Sequence, residues 1–365
     1  MIPCNDSKRL FEKYQTEFEE AALGVLRSGR YILGDNVKAF EQEFANSVNA
    51  KFCVGVDNGT NAIKLGIQSL GIGKGDEVIV QANTYIATVL GITANGATPV
   101  FVEPSEFHNI NYEEIENKIT SRTKAILVTH LYGQATRMDK IINLCKSHKL
   151  YLLEDCAQAH YASYNNQYVG TFGDLGFFSF YPTKNIGAFG DGGAIVTNNE
   201  KLYEKLIMLR NYGSKVRYVF ELENGSNSRL DEMQAALLRI KISHRQEITD
   251  EKIHIATRYL NEINNPLVKL PTIDDGCQSV WHLFVLQVNN RDKFISHMKA
   301  QGVMTDIHYP IPPHLSNCYK YLKHKKGDYP FSEYLADHVV DLPIFNGMSE
   351  EEISSVIKAV NCYEK

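Results

Sequence analysis

Along residues 52–155, short apolar runs alternate with longer stretches in which apolar side chains return every three to four positions. The short runs suit strands buried on both faces, and the longer stretches suit helices with one apolar face. The pattern predicts strands at 52–56, 77–80, 99–102, 124–128 and 151–155. Between them it predicts helices at 62–70, 86–95, 112–119 and 138–149. Repetition of this kind argues for an α/β fold, a mostly parallel sheet covered by helices on both faces. Loops at the carboxyl ends of the strands then share one edge, where such sheets bind ligands. Tyr85, Tyr132, Asp155 and Gln158 all fall at or just after strand ends.

On either side of this region the pattern changes. Residues 17–26 and 37–48 read as amphipathic helices, interrupted by Ser28-Gly29-Arg30-Tyr31-Ile32-Leu33-Gly34. Residues 177–181 and 194–197 read as two further strands, separated by a glycine-rich return. A helix at 200–209 follows, then a polar loop over 214–227 and a long helical pattern over 230–263. The remainder predicts strands at 279–288 and 303–308 and helices at 292–301, 333–340 and 350–360. This places a large domain at 1–248 and a small C-terminal α+β domain at 249–365.

Composition narrows the class. Charged residues make up 22% and the hydrophobic set 44%, which is ordinary for a globular protein. A net charge of −5 and the absence of a basic cluster disfavour nucleic-acid binding. No apolar run is long enough to span a membrane and no apolar signal core opens the chain, so a cytoplasmic protein is expected. Seven scattered cysteines without CxxC spacing suit reduced thiols better than a disulfide framework or a zinc site.

Three stretches carry candidate chemistry. In Phe177-Phe178-Ser179-Phe180-Tyr181-Pro182-Thr183-Lys184, a lysine projects from a strand end just after a proline. Apolar surroundings lower a lysine's pKa and free its amine for Schiff-base chemistry, whereas a solvated loop lysine is the plainer alternative. Upstream, the strand at 151–155 ends in Glu154 and Asp155 and is followed by Gln158 and His160. Asp155 suits a pyridinium partner, with His160 orienting it from behind; equally, Asp155 caps a helix and His160 fills the core. Third, Asp57-Asn58-Gly59-Thr60-Asn61 joins a strand to a helix, and free amides at a helix start seat phosphate.

Taken in order, these segments resemble the fold type I pyridoxal-phosphate enzymes, and more narrowly the DegT-type nucleotide-sugar aminotransferases. The resemblance runs nearly end to end and includes Gly29 to Gly34, Gly190-Asp191-Gly192-Gly193-Ala194 and Asn227-Ser228-Arg229-Leu230-Asp231-Glu232-Met233-Gln234-Ala235-Ala236. It implies pyridoxal 5'-phosphate as cofactor, with Lys184 forming the Schiff base and moving the proton and Asp155 on the pyridinium nitrogen. It further implies Gln158 at the ring hydroxyl, Gly59, Thr60 and Ser179 at the phosphate, and Tyr85 stacked on the ring. A homodimer with shared active sites is implied as well, Asn227 reaching the partner's phosphate. A dehydrating sub-branch carries histidine where Lys184 stands, so transamination is expected.

Leu209-Arg210-Asn211-Tyr212-Gly213-Ser214-Lys215 and the segment from His308 to His314 are similar to the subset acting on dTDP-linked 3-keto-6-deoxyhexoses. In that subset residues matching Tyr181, His308 and His314 lie near the sugar or its diphosphate. The expected reaction moves an amine from L-glutamate to carbon 3 of such a sugar, in deoxyaminosugar biosynthesis for surface glycans. A 4-aminotransferase is the alternative. Val102-Glu103-Pro104-Ser105 departs from the subset's aspartate-rich segment. A nicotinamide oxidoreductase, which also suits βα repetition, lacks its GxGxxG turn here. A PLP-binding sensor needs an extra module for which no chain remains.

Overall fold

A computed structural model describes residues 1–364. The central sheet is built from β1 (Phe52–Val56), β2 (Glu77–Gln81), β3 (Thr98–Val102), β4 (Thr123–Thr129) and β5 (Tyr151–Asp155). After a small hairpin of β6 (Ser163–Tyr164) and β7 (Gln167–Tyr168), the sheet gains β8 (Leu175–Ser179) and β9 (Gly193–Thr197). The seven strands lie in the order β1-β9-β8-β5-β4-β2-β3. They run parallel from β3 to β8, and then β9 and β1 each pair antiparallel. The expected mostly parallel sheet is present.

Side-chain alternation explains why these strands are apolar throughout. Val78 and Val80 face one hydrophobic core while Ile79 faces the other, and Leu127 and Ile126 divide in the same way. Helices cover both faces, so neither set meets water.

A carboxylate cap ties the amino-terminal helices to the rest. The buried Glu232 carboxylate accepts the backbone N–H of Gly34 at 2.7 Å, Val37 at 2.9 Å and Asn36 at 3.0 Å. These are donors at the start of helix Asp35–Ser47 that have no intrahelical acceptor. A Cβ on Gly34 would sit 2.6 Å from the Glu232 carboxyl carbon, so only glycine admits this approach. The GRYILG break and the LDEMQAA segment are therefore two halves of one contact.

Beyond residue 213 the structure departs from the sequence pattern in several places, and the strand expected at 279–288 is only Phe284–Val288. The long helix over 230–263 is two, Glu232–Ser243 and Arg245–Glu262, because the chain kinks at His244. Position 248 lies in the first turn of the second helix. Ile248 packs in the large core, whereas Ile255, Ala256 and Tyr259 pack in the C-terminal core. Residues 214–227 hold a hairpin, β10 (Ser214–Val216) with β11 (Val219–Phe220), whose Val216, Tyr218 and Phe220 are exposed. The small sheet comprises β12 (Val268–Lys269), β13 (Phe284–Val288) and β14 (Val339–Leu342). Residues 303–308 form only isolated bridges, Val303 with Ile2 and Asp306 with Asp341. The helix expected at 333–340 is Pro330–His338, and the residues after it are strand. Glu103, at the unusual VEPS segment, accepts the N–H groups of Phe331 and Ser332 and so caps that helix from the large sheet.

Candidate active site

The carboxyl ends of β4, β5 and β8 open into a cavity of about 370 Å³, closed on the far side by His308 and Tyr309 from the C-terminal part. Lys184, Asp155, Gly59, Thr60, Ser179, Tyr85, Gln158, Tyr181 and His308 all line it. A larger open groove of about 780 Å³ runs elsewhere along Ala21, Asn36 and Arg239, but its walls carry no lysine, histidine or aspartate.

Strand pleating separates the two acids that end β5. Glu154 is fully buried and accepts the N–H groups of Gly170, Phe172 and Gly173 at 2.7–2.9 Å, beside His130 at 3.1 Å. It is consumed in holding that loop. Asp155 points the other way, accepting the Thr88 hydroxyl at 2.7 Å and the Ala157 N–H at 3.0 Å. Burial raises its pKa, and Thr88, Ala157 and Lys184 oppose that rise without cancelling it. His160 does not orient Asp155 from behind. Its ring lies between Phe178 and Phe180 with neither nitrogen hydrogen-bonded, and burial pushes its pKa down to about 3. No helix follows β5, so Asp155 is not a helix cap either.

Pro182 and Thr183 make the turn that delivers Lys184, whose N–H donates to Tyr181 O at 2.8 Å. The next residue is pinned: Asn185 donates to Val280 O at 2.8 Å and accepts from the buried Lys252 amine at 3.1 Å. Burial pulls the Lys184 amine down to about 8, against the pull of Asp155 in the other direction. A cavity lysine in that range holds a usable fraction of neutral amine near pH 7.

Helix Gly59–Ser69 begins at the cavity wall, with the Asn58 side chain accepting Asn61 N–H at 2.8 Å. That leaves the Gly59 and Thr60 amides without helical acceptors. A Cβ at Gly59 would come within 2.7 Å of Ser179 Cβ, so the bare glycine is what lets the helix end meet β8. Ser179, Thr60 and Gly59 thus form one cradle. Tyr85 stands half-exposed at the rim, its ring 5.0 Å from that of Tyr309, and Tyr181 is exposed beside it. Gln158 accepts the Tyr132 N–H at 2.7 Å and donates to the Tyr309 hydroxyl at 2.8 Å.

Two expected residues lie outside this cavity. His314 is buried against Tyr329 and Phe101 and bonds Glu333 at 3.1 Å, so its ring is committed to packing the C-terminal part. Asn227 is exposed beside the β10–β11 hairpin and is not a wall of its own chain's cavity. Conversely, Thr88 and His282 line the cavity although the sequence pattern does not mark them. A hydroxyl one helical turn after Tyr85 was the available signal for Thr88; His282 sits in an irregular segment that gave none. Burial and the nearby Lys184 and Lys252 push His282 well below the usual histidine range, so it is neutral.

A half-buried lysine, a buried aspartate and an open helix end around one cavity in this mixed sheet define a fold type I aminotransferase. The chain belongs to the DegT/DnrJ/EryC1/StrS aminotransferase family, whose model matches residues 12–361. It is 50% identical over 364 residues to dTDP-3-amino-3,6-dideoxy-alpha-D-galactopyranose transaminase of Aneurinibacillus thermoaerophilus, covering 100% of this chain and 99% of that one. It is 44% identical to dTDP-3-amino-3,4,6-trideoxy-alpha-D-glucose transaminase of Streptomyces venezuelae, covering 98% and 95%. The solved structure of S. venezuelae DesV, in complex with a ketimine intermediate, superposes with a TM-score of 0.97 at 43% identity, covering 99% and 97%. The cavity's own residues fit pyridoxal 5'-phosphate, since the Gly59 cradle suits its phosphate, Asp155 its ring nitrogen and Lys184 its aldehyde.

Proposed function

We propose that the protein moves an amino group from L-glutamate to carbon 3 of a dTDP-linked 3-keto-6-deoxyhexose, in deoxyaminosugar biosynthesis for surface glycans. The observation that carries this reading is the juxtaposition of Lys184, Asp155 and the open helix end at Gly59, in a chain matched along its whole length by a dTDP-3-amino sugar transaminase. When bound, the cofactor supplies an electron sink for the carbon that loses a proton.

The chain's own residues supply the rest. Lys184 would hold the cofactor through its amine, and that amine, when free, would move a proton at the reacting carbon. Asp155, buried and fixed by Thr88, would face the ring nitrogen and favour its protonated form. Gly59, Thr60 and Ser179 would hold the phosphate, and Tyr85 would bear on the ring face. Gln158, held between Tyr132 and Tyr309, would bond the ring hydroxyl. Tyr181 and His308 hold the hexose or its diphosphate, while His314 keeps a packing role.

Two chains complete each site in this reading. Asn227 stands exposed outside its own cavity, next to a hairpin whose apolar tip is uncovered, which suits contact with a second copy. None of the described helices is long and apolar enough to cross a membrane, and none of the seven cysteines is paired. Both suit a cytoplasmic enzyme. The test offers dTDP-4-keto-6-deoxyglucose and glutamate with and without a 3,4-ketoisomerase, reading the amino sugar by mass spectrometry. Product only with the isomerase is expected, and equal direct amination of the 4-keto sugar would overturn carbon 3.

A further inference from the structure

His308 lines the same cavity as Lys184, and its Nδ1 bonds Asp341 Oδ2. Asp341 lies on β14, is 2% exposed, and has no partner for its other carboxylate oxygen. Among the described residues His308 is the one cationic partner of this buried carboxylate, and a buried carboxylate left alone is strongly disfavoured. The Tyr132 hydroxyl donates to the His308 carbonyl, which fixes the backbone under the ring. With Nδ1 committed, Nε2 is the nitrogen left for a ligand.

We propose that Asp341 is a positioning residue that presents His308 to the cavity as a doubly protonated donor, so that Nε2–H grips an acceptor oxygen of the nucleotide sugar. This rests on the reading that the cavity takes such a sugar. Burial lowers the pKa of His308, but its bond to Asp341 and the charges of Asp341 and Asp306 outweigh burial and Lys184, so the net shift is upward. The other titratable neighbours are His282, which is neutral, Tyr132, Tyr309 and the Cys4 thiol, all of which burial keeps uncharged. Two histidines on one cavity are therefore biased in opposite directions, His282 toward its neutral form and His308 toward its charged form. A group with a raised pKa keeps its proton to higher pH than an ordinary histidine and loses it as pH rises through that raised value. The grip follows the same course.

A purely structural Asp341–His308 pin leaves sugar affinity independent of the histidine's titration. The holoenzyme is titrated calorimetrically with dTDP-6-deoxyglucose, which has neither amine nor ketone to react with the cofactor, between pH 5.5 and 9, with dTDP alone as the comparison. Wild-type affinity is expected to weaken by up to about tenfold per pH unit above the His308 midpoint. In D341N that weakening begins at lower pH, so affinity at pH 7.5 is about tenfold below wild type while the two converge at pH 5.5. H308Q, whose side-chain amide can still donate to Asp341, gives a flat profile, and dTDP alone shows a weaker dependence than the sugar. The Cε1–H resonance of His308, assigned with H308Q, should titrate at lower pH in D341N without any ligand. An unmoved midpoint or a flat wild-type profile overturns the proposal. Failure of the sugar to bind at every pH contradicts the proposed substrate and removes the grip with it, whatever the resonance does.

Discussion

Asp155 and Lys184 divide the electrostatic work of the cavity, and each makes a prediction. Asp155→Asn keeps the shape and the Thr88 contact but removes the charge. The turnover number with glutamate and the keto sugar should fall by about 10²-fold or more, because a buried charge at the reacting group is not replaced by water. Near-normal kinetics would reduce Asp155 to a structural role. Lys184 is lowered to about 8, so its amine is protonated and unreactive below that pH and free above it. At pH 7 about one amine in ten is free, against about one in 3,000 for an unperturbed lysine. Cofactor uptake by the apoenzyme, followed by absorbance, should accelerate up to about pH 8 and then level. A rate still climbing toward pH 10 would contradict the lowered value. Both residues were legible in the sequence because strand ends and a proline announce them. Thr88 was not, since a hydroxyl in an apolar helix carries no signal until the strand opposite is placed. His160 misled because a histidine five residues beyond a carboxylate is close in sequence, yet the chain turns its ring into the phenylalanines behind the sheet.

Elements were read best where both faces of the sheet are buried. Unbroken apolar strands and periodic helices leave little ambiguity, and β5 and helix Glu200–Leu209 begin and end where the pattern puts them. Reading failed where tertiary contacts decide. Helix formers run through His244, so only packing of the second half on the C-terminal core marks the kink. Val339 and Val340 continue an apparent helix, but pairing with β13 takes them into a strand. The Glu232 cap belongs to the same class, because its partners lie nearly 200 residues away. Glu232→Ala strips three backbone donors of their acceptor and should cost roughly 2–4 kcal/mol, read as a lowered Tm. Glu232→Gln, which keeps an acceptor, should cost less. Equal Tm values for wild type and Glu232→Ala would show that water replaces the carboxylate freely.

At the scale of the molecule, the cavity is closed by two parts of one chain, and in the proposed assembly by a second chain as well. Asn227→Ala should leave the fold intact and loosen cofactor retention on dialysis by about tenfold, as loss of one phosphate contact would. Sedimentation should find the loaded protein as a dimer; an active, cofactor-loaded monomer would refute the shared site. The hairpin tip that supports this reading has the sequence pattern of a polar loop, because strands of three and two residues are too short for an alternating pattern. The proposed chemistry depends on Lys184 as the cofactor's attachment point, which borohydride reduction of the holoenzyme followed by peptide mass spectrometry locates. The pyridoxyl mass should fall on Lys184, in the peptide that also contains Asn185. The mass on Lys241 or Lys252, the two buried lysines nearby, or on no lysine at all, would contradict it.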